Sequence, residues 1–432
     1  MNYKETLDYL YRQLPMYQRQ GGAAYKNNLD NTIRLDNLYG SPHKNFKTIH
    51  VGGTNGKGSV SHMLAAILQK AGYKTGLYTS PHLKDFRERI RVNGEMISEQ
   101  QVVDFVADFQ EKQTKTHDLS PSFFEFTVAM AFQYFDEQQV DVAIIEVGMG
   151  GRLDSTNIIS PELSVITNIS HDHTAFLGES TKEIAGEKAG IIKSNTPVIV
   201  GEYQAATEKV FANKAKEMDA PIVWADSIYR SSYSMQGING RQLFNFQHKG
   251  QMRYASLELD LLGKYQGKNV ATALVAIEQL IEAGWNITKD DIYKGLFDVT
   301  ETTGLMGRWQ VLGNNPLIVC DTGHNEAGLN EVLTQIDNTP YQNLHIVLGL
   351  VNDKNIDSIL EMLPQNAIYY FTKAQIPRAL NERELAEKAM VYELQGKTFP
   401  TVEAAFEAAK KSALRNDLVF VGGSTFVVAE VL

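Results

Sequence analysis

At 432 residues, with 43% hydrophobic and 21% charged residues, the chain is long enough for two or three domains and too apolar for global disorder. A net charge of −10 excludes the basic footprint of a nucleic-acid binder, yet leaves anionic small molecules open, because loops and metal ions override the global sign locally. The single cysteine, Cys320, excludes an internal disulfide framework and fits a reducing cytoplasm; no stretch approaches the ~20 apolar residues of a membrane helix, and MNYKETLDYLYRQL lacks a signal-peptide pattern.

In chain order, FKTIHVGG, YKTGLYTS, VDVAIIEVG, LSVITNIS and TPVIVG are short apolar runs that predict buried strands. Helical patterns separate them. In GSVSHMLAAILQKAG, Val60, Met63, Leu64, Ile67, Leu68 and Ala71 recur at helical spacing and Gly72 supplies the stop. Such alternation predicts a mainly parallel, doubly wound sheet. Residues 227–262 alternate instead, with INGR and HKGQ turns, which predicts antiparallel hairpins added to the first domain. Helical spacing returns in KNVATALVAIEQLIEAG. Gly and Asn then accumulate in TETTGLMGRWQVLGNNP, and the alternation restarts with LIVCDTG, LHIVLGLV, AIYYFTKA and DLVFVGGSTFVVAEVL. The expected organisation is a first α/β domain over 1–298, a linker over 299–315 and a smaller, Rossmann-like α/β domain over 316–432. Cys320, in PLIVCDTG, is expected to be a buried strand residue.

The chemistry-bearing motifs follow the predicted strands. HVGGTNGKGSV departs from the phosphate-loop pattern at two places: Val51 stands where the first Gly belongs, and Gly58 separates Lys57 from Ser59. Its context is still strand, glycine loop, amphipathic helix. Gly52, Gly53, Gly56 and Gly58 let backbone N–H groups converge on an anion at a helix N-terminus, and Lys57 adds a point charge. Ser80, just past the second strand, offers a hard oxygen for Mg²⁺, while His82, Arg87, Glu88, Arg89 and Arg91 fit a polar loop as well as a site. Glu146 ends an apolar strand, where a carboxylate suits a metal better than burial without a partner; Gly148, Gly150 and Gly151 then allow close approach of a ligand. His171, Asp172 and His173 follow the next strand, close to the expected switch point. Ile184, Lys188 and Ile191 share a helical face, so Lys188 can point inward and lose its charge more easily, although a solvated lysine is the commoner outcome.

The ordered set GTNGKGS, YTSPHL, EVGMGGRLDSTN, ITNISHDH, EKAGIIK, GKNVATAL, GRWQ, DTGHN and VGGSTFVVAEV resembles the folylpolyglutamate synthase/dihydrofolate synthase family, within the Mur-ligase superfamily, over nearly the whole chain. The resemblance implies a P-loop fold and assigns roles. Thr54, Asn55, Gly56, Lys57, Gly58 and Ser59 match the ATP cradle, whose family form is Gly-Lys-Gly-Ser. Asn269, Arg308 and Asp321 match further ATP contacts. Ser80, Glu146 and His173 match magnesium ligands, and Lys188 matches a lysine that is carbamylated and supports a second metal. Catalytic roles then fall to Lys57, His173 and Lys188. Asp30, His82, Phe124, Asp154 and His324 match the substrate side. Glu326 and Met306 stand where the family often has Pro.

The implied activity is ATP-dependent amide formation, joining L-glutamate to dihydropteroate or to the γ-carboxylate of a reduced folyl-(poly)glutamate through an acyl phosphate, in a cytoplasmic monomer with no nucleic-acid or membrane partner. YTSPHL resembles members with both activities. Folylpolyglutamate synthesis alone, a Mur-type ligase of cell-wall precursors, and a nucleotide-holding P-loop switch are the alternatives.

Overall fold

A computed structural model describes residues 1–15, 28–113, 119–237, 239–352 and 356–432. The chain divides into two compact units, one of Met1–Asp260 with Gln266–Leu305, the other of Leu261–Tyr265 with Met306–Leu432.

The first unit carries strands β1 (Lys47–Gly52), β2 (Thr75–Tyr78), β3 (Ile90–Val92), β4 (Glu95–Met96), β5 (Val142–Glu146), β6 (Leu163–Ile166), β7 (Val198–Val200) and β8 (Ile222–Trp224). They form one sheet in the order β4-β3-β2-β5-β1-β6-β7-β8, parallel from β2 to β8, with β3 and β4 antiparallel. The central strands are mainly apolar because both faces are covered, with Thr48 and His50 of β1 among the few polar side chains buried there. Phe105, Phe109, Phe126, Phe132 and Phe135, from helices Glu99–Gln113 and Phe123–Glu137, pack with Ala143 and Ile145 of β5. Helix Lys57–Lys70 packs on β1, β2 and β5 and against helices Gln266–Glu282 and Lys289–Phe297, and is buried nearly all round from Gly58 to Leu68.

The sheet order creates the site. The chain leaves β1 toward β2 and leaves β6, the other neighbour of β1, toward β7. Connections departing in opposite directions open a crevice at the carboxyl ends of β1 and β6, where ligands of doubly wound sheets bind.

Strands β9 (Arg230–Gln236), β10 (Gln242–His248) and β11 (Gln251–Leu259) form the expected antiparallel hairpins. The HKGQ turn has Lys249 and Gly250 both at positive φ, the two-residue turn that matches strand twist. Ile238 of the INGR turn lies outside the described residues.

The second unit holds β12 (Gln310–Asn314), β13 (Leu317–Cys320), β14 (Leu344–Leu348), β15 (Ile368–Phe371), β16 (Gly396–Thr398) and β17 (Leu418–Gly422), ordered β12-β13-β17-β14-β15-β16 and parallel except for β12. Cys320 is fully buried in β13, and burial raises its thiol pKa to about 12. The linker expected over 299–315 is corrected: Val299–Thr303 is a helix of the first unit, and residues 306–315 belong to the second, with β12 hydrogen-bonded to β13. Glycines stood out in this stretch, but they serve a helix end at Gly304 and a turn at Gly307, both at positive φ.

Candidate active site

The cradle is built by β1, a four-residue turn and the helix beginning at Lys57. Two glycines are required by geometry. A Cβ on Gly53 (φ +132°) would fall 1.9 Å from Thr167 Oγ1, and one on Gly56 (φ +83°) 2.2 Å from Asn269 Oδ1. The segment after β6 holds the turn from one side. Thr54 N donates to Asn168 O (2.9 Å), Asn55 N to Asn168 Oδ1 (3.0 Å), Thr167 Oγ1 to Asn55 O (2.6 Å) and Ser170 N to Thr54 Oγ1 (3.0 Å). Helix Gln266–Glu282 holds it from the other: Gln266 Nε2 donates to Ser59 Oγ (3.2 Å), and Asn269 Nδ2 donates to Gln266 Oε1 (2.7 Å). The first-turn amides of the helix, through Gly58 and Ser59, are left pointing along its axis toward the turn.

Two lysines meet on one carbonyl. Lys57 Nζ donates to Gly53 O (3.2 Å) and Thr54 O (3.0 Å), and Lys188 Nζ donates to Gly53 O (2.8 Å). Lys188 is only 4% exposed. Burial, and after it the Lys57 charge, lowers its pKa to about 7, against the opposing pull of Asp172 and Asp154. The inward orientation, the less common outcome for a lysine, is the one the fold adopts.

Glu146 ends β5 directly beside Val51 of β1 and is buried. Its Oε2 accepts from Ser80 N (3.0 Å), which brings the ends of β2 and β5 together. His173, in the left-handed region at φ +51°, precedes the short helix Thr174–Leu177 and lies 3.9 Å from Asp172 Oδ1 through its Nε2. Among the described residues no group of three or more His, Cys, Asp and Glu forms a ready metal cage. A hard divalent ion held by one or two carboxylates together with phosphate oxygens does not require one, and the hydroxyl of Ser80 with the carboxylate of Glu146 fits that demand.

The family model for the Mur ligase middle domain matches residues 51–277, and that for the Mur ligase glutamate ligase domain matches residues 307–425. The dihydrofolate synthase/folylpolyglutamate synthase of Bacillus subtilis (strain 168) is 31% identical over 401 residues, covering 91% of each chain. The chain belongs to the folylpolyglutamate synthase/dihydrofolate synthase family of Mur ligases, and it is an ATP-dependent ligase. A probable bifunctional folylpolyglutamate synthase/dihydropteroate synthase of Haloferax volcanii is 34% identical over 436 residues; the chain spans 50% of that longer protein. Two solved structures share the fold. The Escherichia coli enzyme FolC in complex with DHPP and ADP is 30% identical, covers 100% of this chain and 97% of its own, and gives a TM-score of 0.86. A bifunctional folylpolyglutamate synthase/dihydrofolate synthase with Mn, AMPPNP and L-glutamate bound is 29% identical, covers 100% and 97%, and gives 0.84.

In the first unit of this chain, the residues expected on the substrate side differ in their surroundings. The Phe124 ring lies on the Gly148 backbone, where a Cβ would come within 2.4 Å of it, and so sits beside the loop that leaves Glu146. Asp154 is buried in the same loop; its Oδ2 accepts from Met149 N (2.8 Å), and its Oδ1 from Thr156 N (3.0 Å) and Thr156 Oγ1 (2.5 Å). Burial raises its pKa, and those donors oppose the rise. His82 Nδ1 accepts from Arg89 Nε (2.8 Å); burial and the Arg89 charge depress the imidazole pKa to about 3, so it stays neutral. Asp30 is exposed at the start of helix Asp30–Leu38.

In the second unit, Asp321 is buried with both oxygens engaged: Oδ2 accepts from Tyr265 OH (2.6 Å) and Trp309 N (2.7 Å), and Oδ1 from Gly323 N (2.8 Å). Burial raises its pKa, opposed by Tyr265 and Arg308. Arg308 Nη1 donates to Thr322 Oγ1 and to Gly307 O. His324 Nδ1 donates to Thr322 O (2.9 Å), and Asn325 Oδ1 caps helix Glu326–Asp337 by accepting from Gly328 N (2.9 Å).

Sequence reading missed Thr167, Asn168 and Ser170, which clamp the cradle, and Gln266, which reaches Ser59. Gln266 carried a signal: it stands one helical turn before Asn269, on the same face.

Proposed function

We propose that this ligase joins L-glutamate to dihydropteroate and to the γ-carboxylate of reduced folyl-(poly)glutamates, releasing ADP and phosphate. The observation that carries the reading is the convergence of Lys57 and the buried Lys188 on Gly53 O within a glycine cradle. Both activities are the reading because the B. subtilis relative carries both in its name and because YTSPHL matches such members.

The substrate carboxylate attacks the γ-phosphoryl group of ATP, ADP leaves, and the glutamate amine then displaces phosphate from the acyl carbon. The difficulty is two anions brought into contact. Lys57 and the first-turn amides of the helix, Gly58 and Ser59 among them, neutralise the transferring group, a role worth several kcal/mol in such sites, of order 3 for one well-placed donor. Asn269 closes over Gly56 and fixes the cradle wall. Arg308 and Asp321 are proposed as further ATP contacts, and His324 with Phe124, Asp154, His82 and Asp30 as substrate contacts. When bound, one or two Mg²⁺ held by Ser80, Glu146, His173 and Lys188 supply charge neutralisation at the phosphate oxygens. A Lys188 pKa of about 7 keeps a large share of the amine neutral at physiological pH, able to add carbon dioxide with loss of a proton and become an anionic oxygen ligand.

An ADP-release assay tests the reading. With dihydropteroate, and separately with a reduced folate, sustained ADP release over many turnovers should require L-glutamate. ADP release indifferent to glutamate points instead to a nucleotide switch, and activity only with the reduced folate removes the dihydrofolate synthase half.

A further inference from the structure

We infer that His50 and Thr156 are positioning residues of the ligase site: a buried hydrogen-bond relay runs from β1 through Thr156 to Asp154 and holds the loop that leaves Glu146. The inference rests on the reading of that loop as the pteroate side of the site.

The links are short and their direction is determined. His50 Nε2 lies 2.9 Å from Thr156 Oγ1, which lies 2.5 Å from Asp154 Oδ1. The carboxylate also accepts Thr156 N and Met149 N, as an ionised group does. The Thr156 hydroxyl therefore gives its hydrogen to Asp154, and its oxygen accepts from His50 Nε2–H. That assigns the His50 tautomer, with the lone pair on Nδ1. Nδ1 is buried with no hydrogen-bond partner among the described residues. A second ring proton would point at no acceptor, so the ring stays neutral and acts as a fixed donor; burial and nearby Lys193 hold its pKa at about 3.

The loop needs such a hold. Gly148, Gly150 and Gly151 offer it no side chains to pack, and Met149 N is pinned by Asp154. Phe124 lies on Gly148, so a shift of the loop moves the surface beneath that ring. The cradle is held by other residues, from Thr167 to Ser170 and from Gln266 to Asn269. Loss of the relay should therefore act on one substrate and not on the other.

Steady-state kinetics on the full chain, varying dihydropteroate and ATP separately, test this. Thr156→Val should raise the dihydropteroate KM about tenfold and leave the ATP KM within about twofold, while Thr156→Ser, which restores the hydroxyl, returns dihydropteroate to within about twofold. Thr156→Val combined with Asp154→Asn should be no worse than the worse single variant, because the relay acts through Asp154. An unchanged dihydropteroate KM in Thr156→Val, or a rise shared equally by ATP, overturns the relay. Asp154→Asn with an unchanged dihydropteroate KM overturns the inference at its base, the substrate reading of the loop; an affected Asp154→Asn beside an unaffected Thr156→Val overturns the relay alone. Should Thr156→Val fail to fold, His50→Gln against His50→Leu gives the same comparison, with the donor kept in the first and lost in the second.

Discussion

Lys188 stands where a charged amine costs most and a neutral one costs little. Its folded pKa of about 7 lies below the ordinary lysine value of 10.5, so between those values the unfolded chain binds a proton that the folded chain does not. Stability then rises with pH across that window, and the contribution is lost as pH falls through 7. In carbonate-free buffer, the urea midpoint of the wild type should rise relative to Lys188→Met between about pH 7.5 and about pH 9.5. Parallel midpoints would contradict this account of the buried amine. Helical spacing made the shared face of Ile184, Lys188 and Ile191 legible. The acceptor was not legible: Gly53 O lies 135 residues away in sequence, and no local pattern contains it. His50 shows the same limit. It reads as one more residue of an apolar strand, and only the fold brings Thr156 to its ring.

At the scale of elements, strand and helix periods carried most of the architecture, because the central strands are short, mainly apolar runs and a helix such as Lys57–Lys70 is followed closely by a stop at Gly72. The crevice beside β1 follows from strand order, which pattern alone does not give. The cradle's tolerance for side chains is set by what packs against it. Gly56→Ala forces a left-handed alanine, at about 1–2 kcal/mol, and drives its Cβ into the Asn269 amide. The ATP KM should rise by about tenfold or more, with secondary structure by circular dichroism unchanged; a normal ATP KM would show that the cradle does not contact nucleotide. Gly295, inside helix Lys289–Phe297, decides a packing question. Elsewhere in a helix, alanine would gain about 1 kcal/mol over glycine. Here its Cβ would lie 2.6 Å from Ile67 Cα, so Gly295→Ala should instead lose about 1–3 kcal/mol, seen as a lower urea midpoint. A higher midpoint would mean that the two helices separate freely.

At the scale of the whole molecule, the two units each have their own cores. Trp309, Val319, Leu348, Phe371 and Phe420 share one cluster in the second unit, while the aromatic cluster around Phe126 and Phe132 draws only on the first. Phe420→Ala should cost about 3–5 kcal/mol, read as faster hydrogen exchange in β13, β14 and β17 with β1 and β5 unchanged. Equal loss of protection in β1 and β5 would contradict separate cores. A boundary near residue 305 was legible from the rise in Gly and Asn; its form was not, since the polar stretch proved to be a helix end and an edge strand, and Leu261–Tyr265 joins the second unit through Tyr265 and Asp321. In the proposed reaction a substrate carboxylate is phosphorylated by ATP on the cradle and the acyl phosphate is then captured by glutamate. Dihydropteroate labelled with ¹⁸O in its carboxylate tests it most directly. Each amide formed should deliver one labelled oxygen to inorganic phosphate, in a release that requires glutamate; label in AMP, or none in phosphate, would contradict this mechanism.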